Sequence, residues 1–138
     1  IAAHKEAKAE MGEAGRPLRI MMSRIIYCAR DVADARHKVE MAYEYYSRFD
    51  NLFTGPGIVR NGVIQPLPRQ QTIEELEENL IICPPDEMVE RLGEYRDTGI
   101  DEVILSSNLG QPQGEHLEAM ERFATEVKPH LEQRAAAA

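Results

Sequence analysis

The chain has 138 residues, the length of one ordinary domain, and its 43% hydrophobic and 29% charged residues can fill a core and keep a polar surface. Its formal net charge of −8 argues against nucleic acid or an anionic membrane as partner, because phosphate binding needs clustered Lys and Arg. No window holds the ~18 consecutive apolar residues of a transmembrane helix.

Ile1-Ala2-Ala3-His4-Lys5 opens the chain without Met, signal pattern or cleavage site, and reads as a start inside a helix. Residues 2–14 are rich in Ala, Glu and Lys and predict that helix, ended by Gly15-Arg16-Pro17. Leu18 to Ala29 is a nearly unbroken apolar run, interrupted by Arg19 and Arg24, and predicts a strand buried on both faces as in a parallel sheet. Asp31 suits the N-cap of the next helix, where Ala35, Val39, Ala42, Tyr43 and Tyr46 form one apolar stripe. The tyrosines read as core or rim packing.

From Arg48 to Gln71 the periodicity dissolves. Asn61-Gly62, flanked by Val59 and Val63-Ile64, predicts a short hairpin within a long loop, and loops of this length are commonly functional lids. Thr72-Ile73-Glu74-Glu75 is a capping box for a short helix. After Leu80–Cys83, Pro85 suits a first helical turn, with Asp86 and Glu87 at the positive end of the helix dipole. Val89, Leu92 and Tyr95 line that helix, and Gly99 can end it in a left-handed conformation. Val103-Ile104-Leu105 predicts a second buried strand running into Ser106–Gln111. A last helix carries Leu117, Met120, Ala124, Val127 and Leu131 and is expected to stop near Pro129-His130. Residues 135–138 read as a tail outside the fold.

Helix–strand alternation implies parallel strands joined by right-handed crossovers. Two strands alone leave unpaired edges, and helices on one side cannot cover both faces. The chain is therefore expected to need further polypeptide, or a second chain, around it.

Two stretches carry a family resemblance. Cys83-Pro84-Pro85-Asp86-Glu87 leads through a helix to Gly99-Ile100-Asp101 and the apolar Val103–Leu105. Near the end, Met120-Glu121-Arg122-Phe123-Ala124 is followed by Glu126-Val127-Lys128-Pro129. At this spacing the pair resembles the closing segment of the luciferase-like flavin-dependent monooxygenases, and Ile25-Ile26-Tyr27 before an Asp-initiated helix fits the preceding unit. A Gly-Thr that the family carries before the first Pro is Cys83-Pro84 here, which removes a hydroxyl N-cap. The likeness spans nearly the whole chain but about the last third of the family's barrel.

The resemblance implies the C-terminal portion of a (β/α)8 TIM barrel over residues 1–134, with the last two parallel strands, flanking helices and a long lid-like loop. It implies an active site at the C-terminal strand ends, Tyr27–Arg30 and Ser106–Gln111. It further implies reduced FMN, supplied by a flavin reductase, with O2 and a small organic substrate, in a homo- or heterodimer. A deazaflavin (F420)-dependent oxidoreductase of the same fold, or a non-catalytic subunit, are the alternatives. The family's main cofactor contacts lie on segments other than these.

Among the residues present, Ser106, Ser107 and Asn108 are candidates to hydrogen-bond cofactor or substrate, although Ser and Asn after a strand commonly serve their own turn. Arg60 and Asn61 are candidates at the lid tip, where Arg60 would meet an anionic flavin or carboxylate. No catalytic residue is assigned. His4, His37, His116 and His130 show no metal-ligand spacing, Gly55-Pro56-Gly57 lacks the helix of a phosphate loop, and no serine stands in a G-x-S-x-G context. Cys28 and Cys83 lie far apart without a CxxC, so a reduced, cytoplasmic setting is expected. Both read as small core residues, although Cys83 precedes a helix, the position at which a thiol can be activated.

Overall fold

Three parallel strands organise the chain, and the computed structural model describes residues 1–136 of it. The apolar run after Pro17 becomes β1 (Met21–Cys28), which pairs on one side with β5 (Glu102–Ser106) and on the other with β4 (Ile81–Cys83). The two ladders are staggered. Met21–Ile25 pair with β5, whereas Ile26–Cys28 pair with β4. The expected neighbours β1 and β5 are adjacent and parallel, but the sheet has three strands rather than two.

Helices flank both faces. On one, Tyr27 and Ile82 pack against Ala35, Val39 and Ala42 of α2 (Val32–Phe53) and Leu76 of α3 (Ile73–Asn79). On the other, Ile26, Cys28, Ile81 and Cys83 pack against Met88, Val89 and Leu92 of α4 (Pro85–Gly93) and against Val127. Alternate residues of a strand point to opposite faces, so Tyr27 serves one layer while its neighbours serve the other. The upper half of β1 is thus buried on both faces. The lower half is not: Met21 is 58% exposed and Ile104 of β5 is 48% exposed, so the sequence's expectation of two fully buried strands is corrected there. Among the described residues no barrel closes.

Local signals explain most element boundaries. The Asp31 side chain accepts the Asp34 backbone N–H at 2.8 Å, and Thr72 with Glu75 completes the capping box of α3. Pro85 opens α4, which ends at Gly93 rather than at Gly99 as expected; a short 3-10 turn, Arg96–Thr98, follows, and Gly99 caps that turn with φ 87. That left-handed residue turns the chain into β5, where the Asp101 carboxylate accepts the Ile20 N–H at 2.8 Å. This bond sets the start of β1 against the start of β5.

Three further boundaries depart from expectation. The first helix, α1 (Ala2–Glu10), is shorter than 2–14, and a 3-10 turn covers Gly12–Gly15. The second, α2, continues six residues into the region expected to be irregular, carried by a Tyr45, Phe49, Phe53 ladder with ring centroids 4.7 and 5.6 Å apart. The last helix does not stop at Pro129: α5 (Gln113–Arg122) widens into a π-turn, Phe123–Val127, and α6 (Lys128–Ala136) follows. The expected tail, 135–138, falls partly outside the described residues, and Ala136 still belongs to α6.

The hairpin forms as expected, with β2 (Val59–Arg60) antiparallel to β3 (Val63–Ile64). Its base is clasped by Asn51 of α2, which is fully buried. The Asn51 amide donates to the carbonyls of Ile58 (2.8 Å) and Gln65 (2.7 Å), and its oxygen accepts the Ile58 N–H (2.9 Å). Replacing Asn51 with Ala should therefore lower stability by roughly 2–3 kcal/mol, since buried backbone groups lose their partners. Denaturant unfolding checks the magnitude. Amide exchange across residues 58–65 should accelerate, and unchanged protection there would rule out the clasp.

Candidate functional site

In open parallel sheets, ligands bind at the C-terminal strand ends, where neighbouring connections leave toward opposite faces. The chain leaves β1 for α2 on one face and reaches β5 from α4 on the other. Between the ends of β1 and β5 lies a cavity of about 290 Å³, floored by Ile26, Cys28, Leu105 and Ser107 and roofed by Ala119, Met120, Phe123 and Ala124. The stagger explains the space. Once β5 ends at Ser106, Ile26–Cys28 have no strand on that side, and α5 with its π-turn covers the gap. Arg122 donates to the Cys28 carbonyl at 2.6 Å, in place of a ladder bond.

At the end of β1, on the sheet face that α2 covers, lies a cluster of charged side chains in which Lys38 and Asp34 are buried, Glu115 is half-buried and Arg30 is exposed. Lys38, on the second turn of α2, is 2% exposed. Its ammonium pairs with the Glu115 carboxylate, stands 3.9 Å from Asp34 Oδ1 and lies 5.3 Å from the centroid of the Tyr27 ring. Asp34 accepts the Arg30 backbone N–H at 3.0 Å, and the Arg30 guanidinium reaches it at 3.3 and 3.4 Å. The Tyr27 hydroxyl donates to the Glu115 carbonyl at 3.4 Å. Two cations and two carboxylates balance, as burial of an ammonium requires.

The environment acts on these groups in different directions. Burial, reinforced by Asp34 and Glu115, pushes the Tyr27 phenol up to about 12, so it stays a donor. Burial also pushes Asp34 up, but the Arg30 N–H and guanidinium outweigh it and hold the carboxyl below its ordinary value. The contribution of Asp34 to stability is therefore present above the unfolded carboxylate range and is lost as pH falls through the lowered value.

The candidates from the sequence fall in two separate places. Ser106 ends β5 and is exposed, whereas Ser107 is half-buried and lines the cavity. The loop after them is closed on itself. Asn108 Oδ1 accepts the Gly110 N–H at 2.9 Å, the Ser107 carbonyl accepts Gln111 Nε2 at 2.7 Å, and Gln111 Oε1 accepts the Leu109 N–H at 2.6 Å. His116 Nδ1 lies 2.8 Å from Gln111 Nε2 and 3.2 Å from that carbonyl. Arg60 and Asn61 are exposed at the hairpin tip, against the Tyr45–Leu52 end of α2. From Lys38 to Leu52 a helix rises roughly 21 Å at 1.5 Å per residue, so the hairpin does not reach the strand ends. A lid over those ends was expected there, and the geometry corrects it. Asn61 has a backbone role instead: its φ of 51, with φ 77 at Gly62, builds the tight turn.

Sequence reasoning missed Asp34, Lys38 and Glu115, and reached Arg30 only as the end of the strand tip Tyr27–Arg30. One signal was present: Lys38 directly precedes Val39 in the apolar stripe, and Asp34 stands one helical turn before it.

Among the described residues no group of three His, Cys, Asp or Glu could hold a metal, and no helix is long and apolar enough to cross a membrane. Both cysteines are buried and free. Desolvation pushes Cys28 up to about 11 and Cys83 up to about 12, the helix start after Cys83 notwithstanding. Compared with known proteins, the chain matches no family model, and no curated protein matches it.

The raised thiols and phenol favour the protonated folded state. Their contribution is complete below the ordinary pKa values of 9.0 and 10.0 and is lost as pH rises toward 11 to 12. Two outcomes should follow. A disulfide-exchange reagent should label neither thiol at neutral pH until the protein unfolds, and the unfolding midpoint should fall steadily above pH 9. Rapid labelling of native Cys83 would contradict the burial account.

Proposed function

We propose that this chain is the C-terminal section of a luciferase-like flavin-dependent monooxygenase, in which β1 and β5 are neighbouring barrel staves and β4 is a short strand added beside them. The supporting observation is the paired motif. Pro85-Asp86-Glu87 begins a helix, Gly99-Ile100-Asp101 turns it into a strand parallel to β1, and Met120, Phe123 and Val127 lie along the closing helix at the family's spacing. Each motif residue has a physical task at its position: a helix start, a left-handed cap, a carboxylate on the Ile20 N–H and a fully buried Val127.

The described residues do not by themselves fit a flavin mononucleotide. The cavity between β1, β5 and α5 has no cation in its lining, and no glycine-rich turn at a helix start offers a phosphate cradle. Its volume of about 290 Å³ lies at the lower edge of small-molecule pockets. No flavin step is derived from this chain. What its residues offer is an apolar space with one hydroxyl, Ser107, for a small organic substrate, roofed in part by a helix that the Lys38–Glu115 pair ties to α2. Reduced FMN, supplied by a reductase, would be held by other segments of the enzyme.

The experiment supplies the enzyme containing this chain with reduced FMN or reduced deazaflavin, with and without ¹⁸O₂. A monooxygenase gives product only with FMN and oxygen, and one ¹⁸O atom enters the product. Oxygen-independent turnover with deazaflavin would replace this reading with hydride transfer. No turnover with either cofactor across a panel of small organic substrates would favour a non-catalytic subunit.

A further inference from the structure

We propose that α5 is a hinged cover over the cavity at the ends of β1 and β5, latched shut by the ion pair between Lys38 and Glu115. This goes beyond the oxygenase reading and presupposes only that the cavity receives a ligand.

Hydrophobic burial does not hold α5 down. Ala119 is the buried residue of its ten, while Leu117 and Met120 are 55% and 51% exposed. One buried methyl contributes little against the freedom of a helix. The ties are polar instead: Lys38 to the Glu115 carboxylate, Tyr27 to the Glu115 carbonyl, Arg122 to the Cys28 carbonyl, and His116 Nδ1 to Gln111 and the Ser107 carbonyl of the preceding loop. The two that reach from α5 to α2 and the Tyr27 side chain converge on Glu115. The Lys38 ammonium, almost wholly buried on α2, faces Asp34 and Glu115, so losing Glu115 weakens the helix's grip while Asp34 still balances the charge.

The segment has a pivot at each end. Before α5, the buried Leu109 and Gln111 fix the loop, and Gly110 between them takes φ 86. After α5, the π-turn interrupts the regular helical ladder, and buried Val127 at its far end stays packed with Met88, Val89 and Leu92 of α4. Between these fixed points α5 can lift as a unit. Its Ala119 and Met120 roof the cavity, and Phe123 and Ala124 of the π-turn continue that roof.

The test compares the intact chain with Glu115→Gln, Lys38→Met and the double variant. Hydrogen exchange is followed over residues 113–122 against α2 and β1, and stopped-flow fluorescence follows binding of uncharged N-phenyl-1-naphthylamine. Each single variant should raise exchange in α5 about tenfold, leave α2 and β1 unchanged and speed probe association. The double should add little to either single, because both remove one interaction. Should Lys38→Met fail to fold, Glu115→Gln carries the comparison alone. Ala124→Leu, which fills the cavity, should abolish probe binding and leave exchange in α5 as it was. The cover is overturned if α5 exchanges in step with α2, if Glu115→Gln leaves it unchanged, or if the probe binds Ala124→Leu as before. Neither readout involves flavin, so a negative result leaves the oxygenase reading standing, and an inactive enzyme leaves the cover standing.

Discussion

The stagger of β1 governs the rest of the molecule. Its lower five residues pair toward β5 and its upper three toward β4, so each half has a ladder on one side and an open edge on the other. An unpaired edge within a fold must find donors and acceptors elsewhere or remain exposed. On the upper edge Arg122 reaches the Cys28 carbonyl and α5 takes the place of a strand. On the lower edge Arg24 is half-buried, with its Nε bonded to the Tyr95 hydroxyl at 2.8 Å and its guanidinium over the Tyr95 ring. Helix and side chain thus occupy what backbone pairing leaves open, and the cavity is the space that this substitution does not fill.

The same stagger gives the interruption of the apolar run by Arg24 its reason. A cation in the middle of a doubly paired central strand would face a steep desolvation cost. Beside an open edge it reaches a hydroxyl, an aromatic face and water. The lower half of the sheet, with Met21 and Ile104 exposed, matches the shortfall of covering surface foreseen from the strand count. The upper half does not, because helices lie on both faces there rather than on one.

Features written in one or two residues were legible in the sequence: the caps at Asp31 and Thr72, the proline start of α4, the Gly99 turn and the Asn61-Gly62 hairpin. Each depends on a backbone requirement that few residue types satisfy. Features that depend on distant partners were not. β4 has three residues, too few for a period to declare itself, and it is a strand because Ile26–Cys28 offer it an edge. Pro129 looked like a stop, yet it is the second residue of α6, where the preceding π-turn has already broken the ladder and its missing N–H costs little. Within the candidate site, Ser107 lines the cavity, whereas Ser106 is exposed. The Lys38–Glu115 pair was invisible because its members stand 77 positions apart.

The two segments that cover something in this fold are held by opposite means, and this decides which of them can move. The hairpin looks like a lid in sequence, with its glycines, prolines and tight turn. It is nevertheless fixed at its base by the three bonds of Asn51 and by the Leu67 N–H on the Ser47 carbonyl. Arg69, half-way along the return to α3, lies over the rings of both Tyr43 and Tyr46. At Gly55 a side chain would collide with Leu67 at 2.6 Å and with the Asn51 backbone at 2.9 Å, so the chain turns close against the end of α2 here. By contrast α5 has regular helical structure, which normally signals rigidity, but it buries one alanine and hangs on side-chain ties between two backbone irregularities. Mobility follows how much surface a segment buries and how its ends are held, rather than whether it is loop or helix. By that criterion the ordered helix is the movable part and the irregular loop the fixed one.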